Sequence, residues 1–149
     1  MVADATEPAR AIDAATEACE EALARVTSRA AGAEALATAV VGTSSLTRFA
    51  NSRIHQNVSE GTRGVRLAVA LDGRLARAST TRTDGDGLAA LAERALAAAA
   101  LRPADPDHAG FAPPAPVPDV DHWDDGTAAA TPDQRAEVVA AFVAAGGDL

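Results

Sequence analysis

The stretch from Val65 to Thr80 predicts a two-stranded β-hairpin, and this hairpin limits the fold more than any other part of the sequence. Its first half alternates large apolar residues with small or charged ones, which is the period of a strand with one buried face. Asp72-Gly73 follows, and this pair favours a type I′ turn because both central residues of that turn adopt a positive φ. The sequence therefore predicts antiparallel pairing around Asp72-Gly73.

This turn also predicts which residues lie opposite one another. With Leu71 opposite Arg74, one face of the hairpin carries the pairs Val69–Ala76, Leu67–Ala78 and Val65–Thr80, and the other carries Arg66–Ser79 and Ala68–Arg77. The partners on the first face are small, so we expect helices to lie close against it. We expect the second face to be polar and open to solvent or to a partner.

Further strands and helices are predicted on both sides of the hairpin. The strand candidates are Ala35–Gly42, Leu46–Asn51 and Ile54–Ser59. Helical spacing and capping residues predict helices from about Thr6 to Arg29, from Asp86 to Leu101, and from Thr131-Pro132 to Gly146-Gly147. The predicted fold class is α+β, with a mostly antiparallel sheet of four to five strands and helices packed on one face.

The chain divides into three predicted parts. Residues 1–104 form the α+β domain. Residues 105–130 form an extended connector, because the stretch from Pro103 to Ala130 holds six of the eight prolines and shows no helical or strand period. Residues 131–149 are predicted to be the opening helix of a following domain that is truncated here.

Composition argues against several classes of function. The net charge is −8 over 149 residues, whereas nucleic-acid binding needs a basic surface. Cys19 is the single cysteine, so neither an internal disulfide nor a CxxC metal pair is available, and its place on a helical apolar stripe predicts a small buried residue. No signal peptide or membrane span is predicted, which favours a cytoplasmic protein.

The basic residues are unevenly distributed. Ser44–Thr83 holds seven of the thirteen arginines and only two acids, so it carries +5 and the remainder of the chain carries −13. A solvated sheet face, charge pairing with the acidic helices or connector, and an interface with an acidic partner or peptide would each explain this stretch. Stacking aromatics for single-stranded nucleic acid are limited to Phe49.

Few residues point to catalysis. None of the histidines His55, His108 and His122 lies in an HExxH or HExxxH motif, so the sequence offers no helical zinc site. A cation site at His108, His122 and the nearby aspartates is less favoured than a solvated loop, because metal ligands must converge on a rigid frame. The DGDG run from Asp84 to Gly87 is better explained as a turn and helix cap than as a calcium loop.

Two segments resemble a known family. The run LTRFANSRIHQN, followed by VRLAVALDGRLARASTTRTDGDGLAALAERALAAA and a proline-rich connector, is similar to the N-terminal domain of the TldD/PmbA family, also called modulators of DNA gyrase and classed as metallopeptidases. The resemblance covers about residues 35–106. The segment TPDQRAEVVAAFVAAG resembles the helix that opens the family's middle region.

The resemblance implies an α+β N-terminal domain of a cytoplasmic, dimeric protein. In active members, zinc held by an HExxxH helix hydrolyses small or unfolded peptides, while members without that motif serve as non-catalytic partners. This chain lacks the motif, so no catalytic or metal-binding residue is carried over, and we expect it to need no cofactor and to be inactive alone. Zinc is expected only in a full-length active protein.

The resemblance and the charge pattern together give the functional expectation. The domain is expected to shape a substrate passage or a dimer interface, with extended peptides recognised by addition to the sheet. The candidate peptide- or partner-facing residues are Arg48, Asn51, His55, Gln56 and Arg66. The alternative is a non-catalytic scaffold subunit that assembles with an active peptidase of the same family, and a stand-alone binding domain is a third, less favoured reading.

Overall fold

The computed structural model describes residues 6–118, 120 and 123–147. The element order is α1 (Thr6–Arg29), β1 (Glu34–Ala50), β2 (Arg53–Leu71), β3 (Arg74–Thr80), α2 (Gly85–Ala100), α3 (Asp125–Ala128) and α4 (Pro132–Gly146). The strands form an antiparallel sheet in the order β1-β2-β3. This confirms the α+β class.

The prediction of four to five strands is wrong, because the described residues form three. Gly42 lies inside β1, and Gly61 and Gly64 lie inside β2, which is 19 residues long. None of these glycines has a positive φ, whereas the true turns do: φ is 50° and 60° at Asn51 and Ser52. Glycine permits a turn but does not require one, so each predicted break is a continuation of an extended strand.

The β2–β3 hairpin has the predicted register in every pair. Leu71 lies opposite Arg74, and the predicted pairs on both faces follow from it. Asp72 and Gly73 have φ values of 51° and 72°, as a type I′ turn requires. Local turn chemistry therefore determines this part of the sheet.

The chain forms two compact units, each described here by itself. Among the described residues, the core unit contains residues 6–42 and 62–116, and the tip unit contains residues 43–61 and 117–147. Strands β1 and β2 each have residues in both units. The predicted boundaries at residues 104 and 130 rest on the proline-rich, aperiodic stretch of the sequence and stay a prediction.

The core unit is built from one sheet face and two helices. Its fully buried large side chains are Val26 of α1, Leu88 and Leu91 of α2, and Val65, Leu67 and Val69 of β2. Small residues complete the cluster and let the elements approach closely; those of α1 and α2 are Ala18, Ala22, Ala92 and Ala95. Leu88, Leu91, Ala92, Ala95 and Ala99 recur at helical spacing and form the buried stripe of α2, whereas Ile12 near the start of α1 is 65% exposed.

The N-terminus of α2 is capped by Asp84. Its carboxylate accepts a hydrogen bond of 2.8 Å from the backbone N–H of Gly87 and also binds the guanidinium of Arg82, with an ion-pair distance of 2.9 Å. The Arg82 hydrogen bond, followed by the Gly87 amide, lowers the pKa of Asp84 from its ordinary value. A carboxylate at this position also lies favourably against the helix dipole.

This cap predicts a pH-dependent contribution to stability. Because the folded state lowers the pKa of Asp84, its contribution is fully present above the unfolded pKa, about 4, and is lost as the pH falls through the lower folded value. We expect the melting-temperature difference between the wild type and Asp84→Ala to be largest near pH 6 and to shrink between about pH 4 and pH 2. Asp84→Asn keeps a capping group and controls for the cap itself. An unchanged difference at pH 2 would contradict the assignment.

Helix α4 also has the predicted ends. Thr131 is the N-cap, Pro132 opens the helix, and Thr131 and Gln134 form a reciprocal capping box. The N–H of Thr131 donates to Gln134 Oε1 at 2.8 Å, and the Gln134 N–H donates to Thr131 Oγ1 at 3.2 Å. The helix ends at Gly146. The short helix α3, capped by Asp124, lies inside the predicted connector and was not predicted.

Candidate peptide- and partner-facing surfaces

The tip unit contains the turn between β1 and β2. Asn51 and Ser52 form this turn and both are exposed. Behind the turn, Arg48 Nη1 donates to Gln56 Oε1 at 3.2 Å, so the structure brings together two of the five predicted site residues. Both side chains are exposed. This pair forms a polar surface patch.

Helix α4 contacts the other side of the same hairpin. Arg135 of α4 donates to Thr47 Oγ1 at 3.3 Å and to Asn57 Oδ1 at 2.9 Å, thereby linking β1 to β2. Since Thr47 and Asn57 are the chain neighbours of Arg48 and Gln56, strand alternation directs the Arg48–Gln56 pair away from α4. The tip hairpin therefore has one face towards α4 and a second face that carries the Arg48–Gln56 pair.

An aromatic contact accompanies the Arg135 bonds. The rings of Phe49 and Phe142 meet edge to face, with their centroids 5.6 Å apart. This packing of α4 on the hairpin was not predicted from the sequence, because the residues involved are more than 75 positions apart. The only signal available in the sequence was that two of the three phenylalanines lie in these two segments.

The remaining predicted site residues are not joined to the Arg48–Gln56 pair. His55 is exposed on β2, and alternation places it on the same side of the strand as Asn57. Arg66 is also exposed on β2 but belongs to the core unit. Their role in binding a peptide or partner stays a prediction.

Charge pairing does not account for the arginine-rich stretch within the described residues. Of its seven arginines, Arg82 pairs with Asp84, Arg74 donates to the Ala100 carbonyl and Arg48 donates to Gln56. The four others have no ion pair or side-chain hydrogen bond in the part of the chain that the structure describes; they are Arg53, Arg63, Arg66 and Arg77. These cations are therefore available to an outside partner.

A scan against family models gives one match. Residues 37–99 match the PmbA/TldA metallopeptidase domain 1, from β1 to the end of α2. This segment, 63 of the 149 residues, is similar to the first domain of the PmbA/TldD family. The match excludes α1, the connector and α4, so the assignment of α4 to the family's middle region stays a prediction. A search of curated proteins gives no match.

The described part of the chain offers little for metal or nucleophilic chemistry. Among the described residues, no three His, Cys, Asp or Glu side chains are grouped so as to hold a metal ion. The sequence-based alternative of a cation site included Asp119, Asp121 and His122, which lie outside the described residues. Burial raises the pKa of the half-buried Cys19 thiol, against a smaller opposing effect of a backbone hydrogen bond with Ala39, so the thiol stays protonated and weakly nucleophilic at neutral pH.

In the described part of the chain, no helix is both long and apolar enough to cross a bilayer.

Proposed function

We propose that this chain is a first domain of the PmbA/TldD family and a non-catalytic part of a zinc metallopeptidase that degrades small or unfolded peptides. Its role is to shape the substrate passage or the interface between two subunits of a cytoplasmic dimer. The family match over residues 37–99 is the observation that carries this proposal. Zinc and its ligands would come from elsewhere in the full-length protein, since the 149 residues contain no HExxxH motif.

The exposed cations support a passage for peptides. Arg53, Arg63, Arg66 and Arg77 are exposed and have no partner among the described residues. An extended peptide satisfies its backbone by pairing with a sheet edge, which demands no particular sequence, and acidic groups on it would pair with the arginines. Broad peptide specificity follows from backbone pairing.

The exposed apolar side chains of the tip unit support an interface. Val138 and Phe142 of α4 are 70% and 67% exposed, although both are large and apolar. Phe49 and Ile54 of the tip hairpin are also exposed. A concentration of such side chains is typical of a surface that another domain or subunit covers. We place the subunit interface here, and the polar patch of Arg48 and Gln56 at its rim.

The test uses the full-length protein with a triple variant, Arg48→Ala, His55→Ala and Gln56→Ala, and separately with Arg66→Ala. A third variant changes Asn51 to glycine rather than to alanine, because the φ of 50° at this position would strain alanine. We expect weaker dimerisation in analytical ultracentrifugation or a lower kcat/KM for peptide cleavage. The matched control is Arg10→Ala with Thr27→Ala and Ser28→Ala, which removes one cation and two exposed polar side chains from α1. Wild-type dimerisation and cleavage in all three test variants would refute the role of these residues.

A scaffold subunit is the second candidate, and the exposed apolar surface of the tip unit favours it equally. In this case the domain assembles with an active family member and contributes no zinc site of its own. An HExxxH segment in the full-length protein would support the peptidase. A full-length protein without that motif, which nevertheless restores cleavage to an inactive partner, would support the scaffold.

A further inference from the structure

The outer edge of β3 has backbone groups that can bind an added strand. The Ser79 carbonyl accepts a hydrogen bond of 3.2 Å from Arg94 Nη2 of α2, so it is directed away from β2. Because the direction of backbone groups alternates along an antiparallel strand, Leu75 and Arg77 also direct their N–H and C=O groups away from β2. Within the described residues β3 is an edge strand of the sheet.

Two adjoining depressions lie along this edge. The first has a volume of about 350 Å³ and is lined by Leu75, Ala76, Arg77, Ala98 and Arg102. The second, of about the same volume, shares Leu75 and Arg102 and continues along residues 103–106. We call the two together the β3 groove. All its lining residues belong to the core unit.

The chemistry of the β3 groove combines two cations with an apolar floor. Arg77 and Arg102 are exposed, and neither has an ion pair or side-chain hydrogen bond among the described residues. The carboxylate in the groove is that of Asp105, whose Oδ1 already accepts the backbone N–H of Asp107 at 3.0 Å. Leu75, Ala76 and Ala98 offer apolar contact between the arginines. The groove therefore favours a ligand that is both anionic and partly apolar.

We propose that the β3 groove binds an extended peptide rich in carboxylate side chains. The backbone of the peptide pairs with the outward groups of Leu75 and Arg77, as in other cases of strand addition. Its carboxylates pair with Arg77 and Arg102, whose planar guanidinium groups match carboxylate geometry. Its apolar side chains lie against Leu75 and the alanines. This inference rests on the proposed function in taking a peptide as the ligand, and it adds the class of peptide.

The experiment measures binding alone, on the whole 149-residue chain. The probe is a fluorescein-labelled octapeptide of alternating valine and aspartate. Its binding to the chain is measured by fluorescence anisotropy. We expect saturable binding that weakens as salt is raised, and no binding of the matched valine–lysine octapeptide. Arg77→Gln and Arg102→Gln are each expected to weaken binding by about fivefold, because this is the contribution of one well-formed exposed ion pair to affinity. Arg10→Gln removes an exposed cation from α1 and should leave the affinity unchanged.

The role of backbone pairing is tested with the peptide. The same valine–aspartate octapeptide with alternate amides N-methylated keeps its charges but cannot pair fully with a strand edge. We expect the methylated peptide to bind at least tenfold more weakly, because this is the change in affinity that the loss of about two net hydrogen bonds produces. Equal binding of the methylated peptide would overturn strand addition.

Two further outcomes would overturn the proposal. One is an equal loss of binding in Arg10→Gln, which would show attraction to overall charge rather than to the groove. The other is tighter binding of an oligothymidylate of eight nucleotides than of the peptide, which would indicate a nucleic-acid surface. Neither outcome bears on the dimerisation and cleavage expected for the tip variants, so failure of this inference is distinguishable from failure of the proposed function.

Discussion

Leu91→Ala is expected to lower the free energy of unfolding by about 3 kcal/mol. Leu91 lies on α2 and is fully buried in the cluster formed by α1, α2 and β2. Its removal costs the transfer free energy of the lost methyl and methylene groups, and it leaves a cavity. Many neighbours in the cluster are alanines, which have no rotamers with which to fill that space. Relaxation is therefore limited, and the loss should fall in the middle of the range for buried leucines.

Chemical denaturation followed by circular dichroism measures this loss. Leu101→Ala is the matched control, because it makes the same change at the C-cap of the same helix, where the side chain is 88% exposed. We expect a change of less than about 0.5 kcal/mol for the control. Equal effects of the two substitutions would mean that the core of the domain is not the cluster described above.

Local chemistry made the hairpin and the helix caps predictable. Asp72-Gly73 demands a turn with two positive φ values, and this fixes the register of β2 and β3 without reference to the rest of the fold. Asp84 and Thr131 likewise determine where α2 and α4 begin, because a short polar side chain there satisfies an otherwise unpaired amide. In each case the residues that decide the structure are within a few positions of one another.

The continuous strands could not be predicted from local signals. Gly42 has weak strand preference and Ser44-Ser45 is typical of a turn, yet pairing between β1 and β2 continues past them. The orientation of β1 was also undetermined, because both sets of alternating residues are apolar. The structure packs Ala35, Ala37 and Ala39 against the core and leaves Leu36 and Val40 exposed. Small residues face the core because the helices lie close to the sheet.

The candidate surfaces were predictable only in part. The excess of arginine was visible in the sequence, but the distinction between paired arginines such as Arg82 and unpaired ones such as Arg77 depends on tertiary position. Arg102, outside the arginine-rich stretch, was not a candidate, and it joins the β3 groove because α2 ends beside β3. The contact of α4 with the tip hairpin through Arg135 is likewise a long-range feature.

Gly87→Ala is expected to destabilise the domain by about 2 kcal/mol, although alanine is the better helix former. Gly87 lies in the first turn of α2 and is buried. A Cβ atom there would lie 2.5 Å from the Cβ and 2.6 Å from the carbonyl oxygen of Arg82, closer than non-bonded atoms approach. Helix propensity favours alanine by about 1 kcal/mol, but relieving this overlap requires backbone movement that costs about 1–3 kcal/mol or more.

The backbone movement needed to accommodate alanine in place of Gly87 would also disturb the Asp84 cap of α2. The cost of relieving the steric overlap should therefore exceed the gain in helix propensity. The Gly87 N–H donates to the Asp84 carboxylate, which in turn holds Arg82, and all three groups would shift together.

Gly42→Ala is the matched control, since Gly42 has no positive φ and a Cβ there would meet nothing within 4 Å. We expect this control to stabilise the chain by about 0.5 kcal/mol, because alanine loses less backbone entropy on folding. Thermal and chemical denaturation should thus give shifts of opposite sign for the two glycines. A stabilising Gly87→Ala would show that the segment from Arg82 to Asp84 can move away from α2 at little cost.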